Sequence, residues 1–565
     1  MSGEVGMLLR QVRHEFVSLV RTPITLILSV GFPLLFFILL ASLIGDVVVD
    51  PATGVHLIQY LAPGLASFGV VMATFSFLAV GLAEARASGV VKRQNGTPVP
   101  SWVLLGGRVG AAIVLAFVAL ALVFTVGSLF YDLQVPSRSI PVIVLTVLVA
   151  AVSFSACGLA LALLLPNPQT TLAVTNGIVI PLAFISDMFM FGNEEMPAWM
   201  STLGWVFPLK HLVAILQDAL NPYLAELGNQ LDHVAVIAAW GIVGALTAVW
   251  ALRRERRRAG ADAPDTEVRA TAGDRVPRRT SRPAVPTLVG AQLRHTQRIL
   301  WRDLSSVFFA VAFPVILVAV IPTVNGGGDQ LMSSGQPLGT FYAATMAVYG
   351  AAVTAYVNMP QGLAEDRERG VLKRMRATPL PAVALLTGRT LGALGVAALT
   401  LAGIAALATA MYRLPVPPAW PAVIVTFVAT TICFAVLGIA VATLVHSAQA
   451  GVSVALGTLL PLCFISDIFV VGVTFPPVLN AISWFFPLRH ASSAMTEAAR
   501  PVVEGSGLSW GHLAVLVAWT LVGLVVIVLR FRWESAEPSG RRRRRTRREP
   551  EVEPDAQPRV GAGLS

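Results

Sequence analysis

Charged residues are scarce in this chain of 565 residues: they make up 13% of it, about half of the ~25% usual in soluble globular proteins. Cysteine is scarcer still. Cys157, Cys433 and Cys463 lie singly within apolar stretches, without the spacing of a disulfide pair or a metal site, so each is predicted to be a small buried side chain. No short apolar segment with a cleavage site begins the chain, so no signal peptide is expected. These shortages exclude a secreted disulfide-stabilised scaffold and argue against a soluble enzyme.

Apolar residues account for 55% of the chain, and the mean hydropathy is +0.72. They fall into a dozen stretches of the ~20 residues that a helix needs to cross about 30 Å of hydrocarbon. The sequence therefore predicts an all-α polytopic membrane protein with twelve transmembrane helices. Spans 1 to 6 are predicted at 22–44, 58–83, 104–130, 140–165, 170–191 and 233–252, and spans 7 to 12 at 304–322, 338–363, 385–411, 419–445, 449–471 and 511–531.

The spans lack acidic and basic residues near their centres, where ion-coupled transporters usually bind the coupling ion. The chain also lacks the G-x-x-x-x-G-K-[ST] loop that cradles nucleotide phosphates. No catalytic triad, metal-ligand cluster or carboxylate pair is evident. We therefore expect no enzyme activity and no cofactor bound by this chain, and any energy for its work would enter through another polypeptide.

Lysine and arginine are distributed very unevenly between the two sides of the predicted bundle. If the N-terminus is cytoplasmic, 36 of the 41 basic residues lie on that side, which predicts a multi-pass cell-membrane protein with both termini and the central linker in the cytoplasm. Arginine runs follow spans 6 and 12, at 253–258 and 541–548. We expect them to bind anionic lipid headgroups and not nucleic acid, because no aromatic reader module accompanies them.

The chain aligns with itself. Residues 84–108 match 365–389, PLAFISDMF at 181–189 matches PLCFISDIF at 461–469, and WVFPLKH at 205–211 matches WFFPLRH at 484–490. Six spans per repeat give both halves the same orientation, so the repeats are parallel and a pathway is expected at their interface. The predicted domains are a first six-span repeat at 1–252, a flexible basic linker at 253–286, a second repeat at 287–533 and a disordered basic tail at 534–565.

The segment that joins spans 2 and 3 and the segment that joins spans 8 and 9 share more than their positive charge. Each keeps a glutamate, an arginine, a glycine and a basic pair, and closes with Thr-Pro-x-Pro. Cytoplasmic charge bias alone would explain the basic residues but not the glutamates or glycines, so a docking site for a protein partner is favoured. The candidate residues are Glu84, Arg86, Gly89, Lys92 and Arg93, with Glu365, Arg367, Gly370, Lys373 and Arg374.

Two further sets of residues are candidates for a pathway. At the outer side we expect a gate or lid of short external or re-entrant helices; an ordinary loop is the alternative. Its candidate residues are Asp187, Asp467, Pro208, His211, Pro487 and His490. The two aspartates are expected to cap backbone N–H groups, with substrate contact as the alternative. Inside the membrane, the aromatics that could line a pathway, or simply pack, are Phe75, Phe184, Tyr342, Tyr349, Tyr356 and Phe464.

Each half begins with an amphipathic helix before its first span, suited to the membrane interface either as an anchor or as a lever. Four features of the chain are similar to features of one family. They are these two helices, the segment ERGVLKRMRATPLP at 368–381 with its counterpart at 87–100, the repeated PL-x-FISD-x-F and the repeated FPL-[KR]-H. The chain resembles the membrane permeases of ATP-binding-cassette (ABC) transporters of the type-2 exporter class, and most of all the daunorubicin-type efflux permeases of actinobacteria. Many members of that family have six spans and dimerise, whereas this chain is already double.

The resemblance implies that two copies of a separate cytoplasmic ATPase, which bind ATP and Mg, would dock on 84–98 and 365–379 as coupling helices. The chain would then expel a small amphipathic drug or antibiotic through the membrane. Two alternatives stay open: export of a lipid, glycolipid or cell-wall precursor, and a membrane scaffold or sensor that only recruits a cytoplasmic protein.

Overall fold

The computed structural model of the protein describes residues 2–44, 48–50, 54–188, 198–224, 230–261, 285–300, 307–324, 327–332, 335–378, 380–445, 447–469, 475–502 and 505–531. Within these ranges the chain is almost entirely helical. One short antiparallel pair of strands, Val48–Asp50 with Val55–His56, follows span 1.

The first half begins with the leading helix Ser2–Val20, which precedes span 1. Its other helices are Pro23–Leu26, Ile27–Gly31, Phe32–Ile44, Leu57–Val71, Met72–Phe77, Leu78–Ala87, Val90–Asn95, Ser101–Phe130, Ser137–Ser139, Ile140–Leu164, Pro168–Ile185, Ala198–Gly204, Pro208–Leu220 and Leu231–Ala261. The segments Ile27–Gly31 and Met72–Phe77 are π-helical, and Ser137–Ser139 is a 3₁₀ turn.

The second half repeats this order, beginning with the leading helix Val285–Leu300. Its other helices are Phe308–Ala312, Phe313–Val324, Leu338–Ala352, Val353–Val357, Asn358–Glu368, Val371–Arg376, Ala382–Tyr412, Trp420–Leu444, Ala448–Ile465, Pro477–Phe485, Pro487–Ala498 and Trp510–Arg530. The segments Phe308–Ala312 and Val353–Val357 are π-helical, at the same places as in the first half.

The fold class predicted from the sequence, an all-α polytopic membrane protein with an internal duplication, is confirmed. Ten helices among the described residues are long and apolar enough to cross a membrane. The predicted spans 1 and 7 correspond to shorter apolar helices, Ile27–Ser42 and Phe308–Thr323. A π turn interrupts both of them, so neither contains the uninterrupted α-helix that the sequence predicts.

The predicted linker begins too early. Span 6 continues as one helix, Leu231–Ala261, through the arginine run that was assigned to a flexible segment from residue 253. Arginine and glutamate are good helix formers, and the first glycine of this stretch is Gly260, so nothing local ends the helix sooner. The rest of the predicted linker up to residue 284, and the predicted tail, lie outside the described residues.

Spans 4 and 10 pack closely on the π turns of spans 2 and 8. A side-chain Cβ added at Gly158 would lie 2.6 Å from the carbonyl oxygen of Phe75, and one at Gly438 would lie 2.3 Å from that of Ala355. Both distances are too short for any Cβ, so only glycine allows this approach. The repeated contact fixes the position of each π turn against its neighbouring span.

Each half has its own buried core, and the end of span 11 joins them. Phe464 and Ile465 belong to the core of the first half although they lie in the second, while Phe184 at the end of span 5 packs on the core of the second half. The ends of spans 5 and 11 therefore cross the interface between the repeats.

Candidate functional site

A cavity of about 1240 Å³ lies between the two halves. Its walls come from spans 1, 2 and 5 of the first half and spans 7, 8 and 11 of the second. The leading helix, the start of span 3 and the helix Val90–Asn95 add to the wall on the side of the first half. The repeated π turns contribute Met72, Phe77 and Val353 to its walls. A cavity thus lies at the predicted interface, and both repeats contribute to its walls, the first more than the second.

The two ends of the cavity differ in chemistry. The elbow end of the bundle is the end at which spans 2 and 8 turn into the helices Val90–Asn95 and Val371–Arg376; the hairpin end is the opposite one. Polar side chains line the cavity towards the elbow end, among them Glu15, Glu84, Gln94, Gln169, Gln361, Glu365 and Gln449. Apolar side chains line the remainder, so the cavity is amphipathic along its length.

An aromatic cluster lines the cavity in the half nearer the hairpin end. It consists of Phe32, Phe36, Phe68, Phe313, Tyr349, Phe464 and Phe469. The ring centroids of Phe36 and Phe464 are 4.4 Å apart, those of Phe464 and Phe469 are 5.1 Å apart, and those of Phe469 and Tyr349 are 5.2 Å apart. These contacts cross from span 1 to spans 11 and 8, so the cluster joins the two halves.

The structure divides the aromatics that the sequence proposed for a pathway. Phe184, Tyr342, Tyr349 and Phe464 line the cavity. Phe75 and Tyr356, which occupy equivalent positions in the two repeats, are not among its lining residues; the Tyr356 hydroxyl instead bonds Thr458 and its ring packs on Phe434. Tyr356 lies within the π turn Val353–Val357, whose extra residue shifts the phase of the helix, so that Val353 and Val357 take the cavity face in its place. The seven-residue spacing of Tyr342, Tyr349 and Tyr356 predicts one shared face of span 8, and that prediction is wrong for Tyr356.

At the elbow end, a glycine allows each span to turn sharply into a short helix. Gly89 has φ of 71° and Gly370 has φ of 67°, the left-handed region that other residues enter at a cost. Their amides bond back to the carbonyls of Arg86 and Arg367. The same turn is thus built twice, between Leu78–Ala87 and Val90–Asn95 and between Asn358–Glu368 and Val371–Arg376.

The arginines of the elbows point into the protein. Arg86 donates to the carbonyl of Ala162 at the end of span 4 and pairs with Glu255 of span 6 at 2.8 Å. Arg367 donates to the carbonyls of Ala442 and Val445, at the equivalent end of span 10. Both arginines therefore satisfy carbonyls left free at a helix C-terminus and tie the elbow to a neighbouring span.

The other elbow residues divide between the cavity and the surface. Glu84 and Glu365 line the cavity, and Glu365 pairs with Arg369 at 3.2 Å. The basic pairs Lys92–Arg93 and Lys373–Arg374 are exposed on the short helices. The docking candidates from the sequence thus form no single face: the lysines and following arginines face outwards, and the other charged residues face the cavity or neighbouring spans.

The first leading helix packs along span 3 and the second along span 9, and in both cases a glycine of the span allows the close contact. A Cβ at Gly107 would lie 2.2 Å from Gln11, and one at Gly388 would lie 2.8 Å from Gln292. The ion pairs beside these contacts differ: Arg108 pairs with Glu15 of the leading helix at 3.6 Å, whereas the equivalent Arg389 pairs with Asp366 of span 8. Span 3 is therefore tied by charge to the leading helix, and span 9 to the elbow.

At the hairpin end, a bent pair of helices follows span 5. Ala198–Gly204 and Pro208–Leu220 meet at 94°, and Pro477–Phe485 with Pro487–Ala498 occupy the equivalent place after span 11. Pro208 and Pro487 each begin the second helix, where the missing N–H costs nothing. The predicted short helices are present, and we call each bent pair a hairpin.

The aspartates at the ends of spans 5 and 11 do not cap backbone N–H groups among the described contacts, contrary to the sequence-based expectation. They follow the C-terminal end of their helices, with φ of 58° at Asp187 and 54° at Asp467, where the carbonyls and not the N–H groups are free. Asp187 pairs with Lys210 at 3.1 Å and Asp467 with Arg489 at 2.8 Å. Burial raises the pKa of Asp467, and Arg489 opposes that shift. These pairs fasten each hairpin to its preceding span.

Histidine and tryptophan side chains complete the attachment of each hairpin. His211 contacts the carbonyl of Trp205 through Nε2 and His233 of span 6 through Nδ1, both at 2.8 Å, and Trp240 donates to the carbonyl of Val206. His490, His512 and Trp519 repeat these bonds in the second half. His233, Trp240 and their equivalents were missed from the sequence, although HVAVIAAW at 233–240 and HLAVLVAW at 512–519 repeat at the same offset as the hairpins.

Comparison with known proteins agrees with this duplicated architecture. Residues 9–221 match the ABC-2 type transporter family and residues 325–529 match the ABC-2 family transporter proteins. The inner membrane transport permease YadH of Escherichia coli K12 is 24% identical over 180 residues, covering 32% of this chain and 69% of YadH. The E. coli K12 protein named probable multidrug ABC transporter permease YbhR is 21% identical over 183 residues, covering 32% of this chain and 49% of YbhR. The chain therefore carries two domains of the ABC-2 transporter permease family in tandem.

Proposed function

We propose that this chain is the transmembrane permease subunit of an ATP-driven exporter whose energy comes from a separate ATPase subunit. The observation that carries the proposal is the cavity between the halves. Its volume of about 1240 Å³ exceeds the roughly 300–1000 Å³ of ordinary small-molecule sites, so a drug-sized molecule fits. Packed aromatic rings join the two halves towards one end of it, and polar side chains line it towards the other, which fits a pathway that opens on one side at a time.

The elbow end is assigned to the cytoplasm because the segments there carry most of the 41 basic residues. Two copies of a cytoplasmic ATPase would bind the exposed basic pairs of the two elbows, one copy each. ATP and Mg would be bound by that ATPase and not by this chain. Movement of an elbow would pass through Arg86 to spans 4 and 6, or through Arg367 to span 10, because those arginines hold the span ends.

The substrate that fits best is a hydrophobic or amphipathic drug or antibiotic taken from the inner leaflet or the cytoplasm. Apolar and aromatic walls would hold its rings. The acidic side chains that line the cavity are Glu15, Glu84 and Glu365, while Arg108 is the one lysine or arginine on the described lining and is paired with Glu15. This charge disfavours the anionic headgroup of a lipid or cell-wall precursor, which would need unpaired cations.

The test is ATP hydrolysis by the complex purified in mild detergent from the native host and returned to lipid vesicles. Hydrophobic dyes that are neutral or cationic should stimulate hydrolysis and accumulate against a gradient. Phe464→Ala should shift the half-maximal dye concentration by up to about tenfold, because it removes aromatic contacts worth about 0.5–1.5 kcal/mol each. Tyr356→Phe, one π turn away from the cavity face, is the matched control and should leave that concentration unchanged.

Stimulation by anionic lipid precursors but not by dyes would replace the drug with a lipid substrate. Recovery of a cytoplasmic partner without ATPase activity would favour the scaffold or sensor alternative, and would contradict an exporter.

A further inference from the structure

Each hairpin is attached to the last span of its half by two histidines that face each other. The Nδ1 atoms of His211 and His233 are 2.8 Å apart, and those of His490 and His512 are 2.9 Å apart. Both separations are hydrogen-bond distances, so one hydrogen atom lies between the two nitrogens of each pair. The motif occurs twice, on the same elements, and the proposed export pathway does not otherwise use it.

The second ring nitrogen decides which histidine donates. Nε2 of His211 lies 2.8 Å from the carbonyl oxygen of Trp205, and a carbonyl only accepts, so this nitrogen carries a hydrogen. In the neutral ring, Nδ1 of His211 is then an acceptor, and Nδ1 of His233 must donate to it. The same reasoning makes His490 the acceptor and His512 the donor, because Nε2 of His490 contacts the carbonyl of Trp484.

From this geometry we propose that each histidine pair is a proton-binding latch that holds its hairpin to the last span and opens when the hairpin end is acidified. A first proton, taken from water, binds the free Nε2 of His233 or His512 and leaves the bond between the rings intact. A second proton must bind Nδ1 of the acceptor. Two N–H groups then face each other across 2.8 Å, so the hydrogen bond is lost and two positive rings repel one another.

The charged groups around the two pairs are different. Beside the first pair, Lys210 lies 5.0 Å from the Trp205 ring and pairs with Asp187, Asp218 accepts from Gln230, and Asp232 precedes His233 in the chain. No carboxylate is within ion-pair distance of His233 among the described contacts.

Beside the second pair, Nε2 of His512 lies 3.8 Å from a carboxylate oxygen of Glu497, whose other oxygen accepts from Ser509. Arg489 lies over the Trp484 ring and pairs with Asp467. The donor histidine of the second pair therefore has a carboxylate beside it, and the donor of the first pair has none among the described contacts.

The latch is connected to the end of the cavity. Arg489, beside His490 in the chain, holds Asp467, and Phe464 and Phe469 of the aromatic cluster flank that aspartate. Release of the second hairpin from span 12 would therefore loosen the aromatic cluster that lines the cavity. This consequence rests on the proposed export function, whereas the latch itself is a property of the chain alone.

The test is hydrogen–deuterium exchange of the full chain in lipid nanodiscs from pH 7.5 to pH 4.5, corrected for the intrinsic pH dependence of exchange. Peptides covering 199–220 and 480–498 should lose protection by about tenfold, the effect of losing about one hydrogen bond. The loss should come only well below the ordinary histidine pKa of about 6.5, because the second proton binds beside a ring that is already charged. The doubly substituted His233→Asn/His512→Asn chain should stay protected throughout. An asparagine amide can donate to a neutral Nδ1 and accept from a protonated one.

The control is His14→Asn/His295→Asn, which changes two histidines of the leading helices and should keep the wild-type pH response. Unchanged protection of the wild-type hairpins between pH 7.5 and 4.5 would overturn the latch, and so would a full pH response in His233→Asn/His512→Asn. Because the experiment needs no ATPase and no substrate, failure of the export proposal and failure of the latch give separate results.

Discussion

Substitution of the second elbow glycine, Gly370→Ala, should weaken the elbow through the backbone alone. Gly370 has φ of +67°, and an added Cβ would meet no atom within 4 Å, so no side-chain clash contributes. An L-residue in this conformation costs roughly 1–2 kcal/mol, which predicts a roughly 5- to 30-fold increase in opening of the elbow. Gly370→Asn should cost less, because asparagine tolerates left-handed backbone better than alanine.

Hydrogen exchange in peptides covering 366–378 measures this opening. The matched control is Gly290→Ala, in the leading helix Val285–Leu300, where an added Cβ also meets nothing within 4 Å. Glycine there has ordinary helical backbone, so alanine should stabilise that helix by up to about 1 kcal/mol. Equal effects of the two alanines on their own segments would refute the assignment of the elbow to a glycine-dependent turn.

Three further outcomes follow from the packing. Asp187→Asn leaves Lys210, whose side chain is 5% exposed, without its carboxylate. The melting temperature should therefore fall more than for Asp467→Asn, which leaves Arg489 with a side chain 13% exposed; equal shifts would contradict this ranking. Gly438→Ala places a Cβ 2.3 Å from the carbonyl of Ala355 and should destabilise by roughly 1–3 kcal/mol in thermal unfolding, while Gly403→Ala, with its nearest contact at 3.4 Å, should be tolerated. Asp366→Asn should speed hydrogen exchange in peptides 366–378 and leave the leading helix Val285–Leu300 protected. Glu15→Gln should instead speed hydrogen exchange in the leading helix Ser2–Val20. The same response in both halves would contradict the finding that the two halves pair these charges differently.

Comparing the chain with itself predicted much of this structure, because repeated residues mark repeated geometry. Gly89 and Gly370 were identified by their place in a duplicated charged segment, and both prove to have left-handed backbone. The prolines that begin the hairpin helices were likewise identified from their duplication. These features are local, so a sequence pattern can carry them.

The π turns could not be predicted in the same way. The hydropathy of spans 2 and 8 predicts a continuous helix in each. The extra residue in each π turn changes the helical phase but not the composition, so hydropathy does not reveal it. For that reason the face of Tyr342 and Tyr349 was predicted correctly and that of Tyr356 was not. The close approach of Gly158 and Gly438 to these turns is a contact between spans, which periodicity within one span does not reveal.

The ion-pair partners of the two aspartates could not be predicted from the sequence either. Asp187 and Asp467 were recognised as unusual, but their partners lie 23 and 22 residues further along, in the hairpins. Without the fold, an aspartate at a helix end is most simply interpreted as a cap. The histidine pairs had a detectable signal, since both members repeat, but the distance between their nitrogens depends on the bend of the hairpin.

The measurement that tests the central claim most directly is native mass spectrometry of the chain purified in mild detergent from its own host, with the bound proteins identified. The account predicts one chain with two copies of an ATPase, and one copy fewer when Lys373→Glu and Arg374→Glu reverse the exposed charge of the second elbow. Recovery of the chain without any ATPase, under conditions that keep a known permease–ATPase complex intact, would contradict the account.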